Sequence, residues 1–199
     1  MRQRPVFTAK VGTAPATSTL HLGEGLNANE VIPRLWQGGL PPTDLHGFNV
    51  LVLAATSYQP PDSDFPGVRV IRIPLHDPSG EFYPAERTPA VLAAYTVAQA
   101  YLSGATILVT CRMGWNRSGL ITALTLRFLG YSADQAVDLV RKARGEDALS
   151  NPAFEDFVRA FKAPASEPDR ARVPKALVTL IGGAVLGVAF AWFVSRVRV

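Results

Sequence analysis

A single cysteine in 199 residues excludes an internal disulfide and every metal site built from several cysteines. Histidine is nearly as scarce: His21, His46 and His76 are scattered without ligand spacing and read as surface residues, so no metal and no cofactor is expected. Charge of one sign is also thin on the body of the chain. Of the formal +4, Arg2, Arg4 and Lys10 supply +3 near the start and Lys175, Arg196 and Arg198 another +3 at the end, which leaves −2 in between. A body of that balance is no polyanion surface, and nucleic acid is excluded as a partner. Residues 1–27 contain no continuous apolar run, which excludes the hydrophobic region of a secretory signal and leaves a flexible arm. Apolar residues at 48% and charged residues at 18% exclude global disorder.

The one long hydrophobic run lies at the far end. Ala176 to Val194 carries no charge, and Thr179 is its only clearly polar side chain. As a helix rising about 1.5 Å per residue, those 19 residues reach roughly 28 Å, close to the hydrocarbon thickness of a bilayer. Lys175 on one side, Arg196 and Arg198 on the other and Trp192 near the end fit anchoring at the two interfaces. Residues 176–195 are therefore predicted to form a single-pass transmembrane helix, with residues 164–175 as linker and one domain over 28–163. Arg170, Arg172 and Lys175, together with the need for a reduced thiol, tip the domain toward the cytoplasm. Gly183 and Gly187 have the small-xxx-small spacing of a weak helix pair, a route to a homodimer.

Between the ends, short apolar strands alternate with helices that carry start and stop signals. Val50 to Ala54 reads as a strand buried on both faces, and Val68 to Ile73 as a second that Pro74 ends. Thr88-Pro89 opens a helix to about Leu102, closed by Gly104, and Ile107 to Val109 reads as a central strand. Gly119 to Leu129 is a mostly apolar helix. Ser132 with Gln135 has capping-box spacing for a helix to about Arg144, and Asn151-Pro152 starts another through Phe161. The sum is an α/β layer structure.

Directly after the Ile107–Thr110 strand comes Cys111-Arg112-Met113-Gly114-Trp115-Asn116-Arg117-Ser118, leading into a helix. A strand, a short loop and a helix N-terminus make an anion site, because backbone N–H groups converge and the helix dipole favours negative charge. Cys111 at the base of such a loop sits among dipoles that favour a nucleophilic thiolate. Arg117 can fold back and grip two oxygens of a phosphoryl group, and Gly114 permits the tight turn.

The Cys-x5-Arg spacing resembles the signature of the dual-specificity and cysteine-dependent protein tyrosine phosphatases. The resemblance extends over about residues 29–162. Asn29 to Gly39 is similar to the opening strand of the small members, and Arg144 with Ala148 to Pro152 and Phe154 to their closing segment. It implies a mixed central sheet flanked by helices, no metal, and a two-step reaction through a phosphocysteine. It also implies an aspartate on a loop some thirty residues upstream, which protonates the leaving group and then activates water. Asp77, 34 positions before Cys111, is the candidate, although it also suits a turn ahead of Pro78. Asp62 and Asp64 lie before the Val68 strand in a Pro-rich turn and read as solvating it. Ser118 would stabilise the departing thiolate.

Two positions depart from the family pattern. Thr110 stands where histidine usually orders the loop, with a hydroxyl still able to bond the loop backbone, and Trp115 is bulkier than usual, either walling the pocket or stacking on an aryl ester. The candidate phosphate loop is thus Arg112, Met113, Gly114, Trp115 and Asn116, with Cys111, Arg117, Asp77 and Ser118 as the catalytic set. Tyr58, Phe82, Tyr83 and Trp36 suit packing better than an entrance. Phosphoprotein is the first substrate class. A phospholipid such as a phosphoinositide or phosphatidylglycerophosphate is the alternative, since Arg112 adds a second cation and a bilayer helix brings lipid near. A catalytically weak phosphate-binding membrane adaptor is the third reading.

Overall fold

The computed structural model describes residues 26–163. The predicted transmembrane helix, its linker and residues 1–25 of the arm lie outside them. Among the described residues no helix is long and apolar enough to cross a membrane.

Five strands form one mixed sheet: β1 (Ala28–Ile32), β2 (Leu35–Gly38), β3 (Val50–Ala55), β4 (Arg69–Leu75) and β5 (Ile107–Thr110), in the order β1-β2-β5-β3-β4. β1 and β2 pair antiparallel; β2, β5, β3 and β4 run parallel. Four helices follow or interleave: α1 (Pro84–Leu102), α2 (Asn116–Phe128), α3 (Ala133–Arg144) and α4 (Pro152–Ala160).

Every residue of β3 and β5 is buried, as their unbroken apolar sequences require of central parallel strands. Alternation divides them between two layers. Val50, Val52, Ala54, Ile107 and Val109 join the core that holds the buried residues of all four helices. Leu51, Leu53 and Leu108 face the opposite side, where Leu45, Phe48 and Phe65 from loops cover the sheet. The rings expected to pack do so: Phe82 meets Phe154 and Phe157 edge-on at 5.0 Å each, and Trp36 meets Phe48 at 6.1 Å.

Four boundaries differ from the sequence expectation. The opening segment is a hairpin rather than one strand, turned at Arg34 with φ 70°, whose N–H donates to Glu30 Oε1 at 2.8 Å. β4 runs through Pro74 to Leu75, because β4 is the outer strand, where a proline removes no ladder bond. α1 starts at Pro84 and contains Pro89, its first turn being tied down by Glu86, whose carboxylate takes the His76 N–H and meets His76 Nδ1 at 2.5 Å. α2 starts at Asn116, three residues before the expected Gly119, so Arg117 and Ser118 belong to its first turn. The capping box is present as read: Ser132 Oγ accepts from Gln135 N at 3.1 Å and Gln135 Oε1 from Ser132 N at 2.9 Å.

Candidate active site

The parallel strands deliver their carboxyl ends to one edge of the sheet, the usual place for a site in an α/β layer. Cys111 follows β5, Gly39 follows β2, and Asp77 lies two residues beyond β4. The loop from Cys111 to Trp115 is anchored at its base by the Cys111 N–H, which donates to Gly38 O at 3.2 Å.

Cys111 is buried, but its sulfur faces polar partners. Gly114 N–H donates to Sγ at 3.3 Å and Ser118 Oγ lies at 3.3 Å. A trans peptide points its N–H and C=O in opposite directions. The Gly114 N–H reaches the sulfur because the Met113 carbonyl on the same peptide is held outside by Arg144 Nη2 at 3.3 Å. Gly114 has φ +80°, and a Cβ there would fall 2.6 Å from Arg144 Nη2, Gly38 C and Gly39 N, so only glycine fits.

Arg117, in the first turn of α2, meets Asp77, Arg117 Nε standing 3.9 Å from Asp77 Oδ2. Both side chains are largely enclosed, and Arg117 Nε is buried with no hydrogen-bond partner among the described residues. A buried guanidinium N–H without an acceptor is free to take one from a bound anion. The structure thus sets Cys111 Sγ beside the Gly114 N–H and Ser118 Oγ, and pairs a cation with a carboxylate at the same end of the sheet.

The remaining loop residues are placed less uniformly. Met113, Trp115 and Leu40 are exposed at 54%, 37% and 44%, and Arg112 is exposed as well. Asn116 Oδ1 accepts from Asn151 N at 3.1 Å and Ser150 Oγ at 3.2 Å. His76 stays with Glu86 and the Tyr83 ring. Asp62 pairs with Arg72 on the surface. Thr110 does not support the loop, since its hydroxyl donates to Val52 O at 2.8 Å inside the sheet.

Three residues support the site without having been assigned to it from the sequence, although Arg144 and Asn151 were named in the closing segment. Asn151, nearly buried, directs its side-chain amide at the acid loop: Asp77 Oδ1 at 3.1 Å, Pro78 O at 2.9 Å and Glu81 O at 3.3 Å. Its Oδ1 meanwhile caps α4 by accepting from Ala153 N at 3.1 Å. Arg144 donates to Asn29 Oδ1 at 2.6 Å, Asn27 Oδ1 at 3.1 Å and the carbonyls of Met113 and Gly114 at 3.3 Å each. Burial lowers the Arg144 pKa from its ordinary value, and the negative charge of ionised Cys111 acts in the opposite direction. Gln37, fully buried on β2, donates to Gly114 O at 3.0 Å. The signals available were a polar residue inside an apolar strand and an Asn-Pro helix start, and neither points to a partner.

No family model matches the chain. Mouse and human dual specificity phosphatase 28 are 34% and 33% identical to it over 89 and 114 residues. These alignments cover 44% and 57% of this chain and 53% and 62% of those proteins, so it spans less than two thirds of the curated relatives' length. A solved mouse putative dual specificity phosphatase, complexed with zinc tungstate, superposes with a TM-score of 0.56 at 26% identity, covering 75% of this chain and 90% of that one. PTPMT1 in complex with PI(5)P shares the fold at a TM-score of 0.52 and 15% identity, covering 67% and 95%. With its Cys-x5-Arg loop on a matching sheet, the chain is similar in sequence and in fold to dual-specificity and cysteine-dependent protein tyrosine phosphatases.

Proposed function

We propose that the chain hydrolyses phosphomonoesters of phosphotyrosine or phosphoserine and phosphothreonine in proteins, through a phosphocysteine. The observation that carries this is the Cys111 sulfur accepting the Gly114 N–H, together with the Arg117–Asp77 pair at the same end of the sheet. In the first step the Cys111 thiolate attacks phosphorus, the bond to the leaving oxygen breaks, and that oxygen takes a proton from Asp77. Arg117 and the loop N–H groups stabilise the charge on the transferring phosphoryl oxygens. In the second step Asp77, now ionised, takes a proton from water, whose oxygen attacks phosphorus. The sulfur–phosphorus bond breaks, phosphate leaves, and Ser118 Oγ donates to the returning thiolate.

Turnover of p-nitrophenyl phosphate tests this, with loss expected in Cys111→Ser and slowing in Asp77→Asn. Retained turnover in Cys111→Ser would refute the nucleophile, and absence of turnover in the unaltered chain would leave the phosphate-binding adaptor. A phospholipid substrate is the second reading, favoured by the exposure of Arg112, Leu40, Met113 and Trp115. Competition between phosphopeptides and phosphoinositide-containing liposomes decides between them. The tail, residues 176–195, anchors the domain to a membrane on its cytoplasmic side in this reading, and Gly183 and Gly187 allow weak pairing of two tails. Deleting 174–199 is expected to release the protein from the membrane fraction; an unchanged fraction removes the anchor.

A further inference from the structure

The carbonyl of Gly114 is gripped by two side chains, Arg144 Nε at 3.3 Å and Gln37 Nε2 at 3.0 Å. Gln37 is an unusual occupant of its place. It lies in β2 beside Val109 of β5, fully buried between Leu35 and Gly38, which are also buried. Only half of its amide is satisfied, because Gln37 Oε1 is buried with no hydrogen-bond partner among the described residues. A buried acceptor without a donor destabilises the fold, and an aliphatic side chain would avoid the penalty. The packing nonetheless makes room for the amide. A Cβ on Gly119 of α2 would come 3.5 Å from Gln37 Nε2 and 3.1 Å from Leu149 Cγ. Thr110, which precedes the nucleophile, turns its hydroxyl into the sheet toward Val52 O, so it does not share this task.

We infer that Gln37 is a positioning residue of the phosphate loop: its amide clamps the Gly114 carbonyl outward, and thereby aims the Trp115 N–H of the same peptide at the bound oxyanion. The Met113–Gly114 peptide already displays this logic, with its carbonyl on Arg144 and its N–H on the Cys111 sulfur. Arg144 reaches both carbonyls at 3.3 Å, and Gln37 adds the shorter bond to Gly114 O at 3.0 Å. The unpaired Oε1 is the cost in stability of keeping a donor at that spot.

The inference rests on the phosphatase reading and is tested on the full chain in detergent with tungstate as probe. Gln37→Leu and Gln37→Met each remove the donor while filling the space. Loss of one neutral hydrogen bond corresponds to about fivefold weaker tungstate binding by calorimetry. The melting temperature is expected to stay level or rise, because the orphaned acceptor goes too. Weaker binding with an undiminished melting temperature, in either variant, supports the clamp. Unaltered affinity in both variants overturns it, and so does weaker binding accompanied by a lowered melting temperature in both, which is the mark of simple packing. Failure of the unaltered chain to bind tungstate overturns the phosphatase reading itself, a distinct result.

Discussion

Replacing Asn151 with serine separates two tasks that one side chain performs. Its oxygen caps α4, while its amide group serves Asp77 Oδ1, Pro78 O and Glu81 O at 3.1, 2.9 and 3.3 Å. Serine remains a good helix cap but is too short to reach the acid loop. The two amide protons divide among three acceptors, and the bond to the carboxylate is charge-assisted. A hydrogen bond to a charged group contributes about 1.5–3 kcal/mol and a neutral one about 1 kcal/mol, so the acid loop loses on the order of 3 kcal/mol of anchoring. At about 1.4 kcal/mol per decade, full expression of that loss in the transition state is roughly a hundredfold in rate. It falls within the range of about 100- to 10,000-fold that a general acid supplies.

The assay is kcat/KM on aryl phosphates whose leaving phenols differ in acidity. The far more acidic dinitrophenol departs without help, whereas phenol needs the proton that Asp77 delivers. Asn151→Ser is therefore expected to slow phenyl phosphate strongly and dinitrophenyl phosphate little, as Asp77→Asn does. The double variant should be no slower than Asp77→Asn alone, since the two residues act as one unit. An equal loss on every leaving group, or additive losses in the double variant, would refute the idea that Asn151 works through the carboxylate.

Two further outcomes follow from other contacts. Gly114→Ala is expected to abolish turnover and to lower stability by more than the roughly 1–2 kcal/mol of a left-handed non-glycine residue, because its Cβ would meet backbone at Gly38 and Gly39; urea denaturation with activity measured in parallel checks this, and a variant with ordinary turnover would contradict the loop geometry. Glu155 concerns acid stability. Burial alone would raise its pKa, but hydrogen bonds from Arg141 at 2.6 Å and from Arg159 outweigh it and leave the pKa lowered. A carboxyl lowered on folding contributes stability above its unfolded pKa of about 4.3 and loses it as pH falls toward the folded value. Glu155→Gln should therefore cut stability at neutral pH and flatten the decline in melting temperature below about pH 5; an identical acid slope in both proteins would refute the assignment.

What could be read from the sequence was whatever physics keeps local. The cap at Ser132 and Gln135, the Asn151-Pro152 start and the Cys111–Arg117 spacing are all decided within a few residues; the structure places the first two in the expected elements and puts Arg117 in the first turn of α2 rather than in the loop. Proline rules failed at Pro74 and Pro89. They state the cost of a missing N–H without stating what the rest of the stretch contributes: β4 is an outer strand, and α1 continues past Pro89, its sixth residue, on the packing of its buried face. The supports of the site failed to register for the opposite cause. Gln37 and Gly114 are separated by 77 positions, Asn151 and Asp77 by 74, and Arg144 and Gly114 by 30. Each supports the site by reaching a distant backbone carbonyl or carboxylate, a contact that no neighbour in the chain announces. A nucleophile can be recognised from its neighbours in the chain because a strand, a loop and a helix start create its field. The carbonyls that must be held outward for that field to exist can be reached only across the fold, so the residues that hold them carry no local pattern of their own.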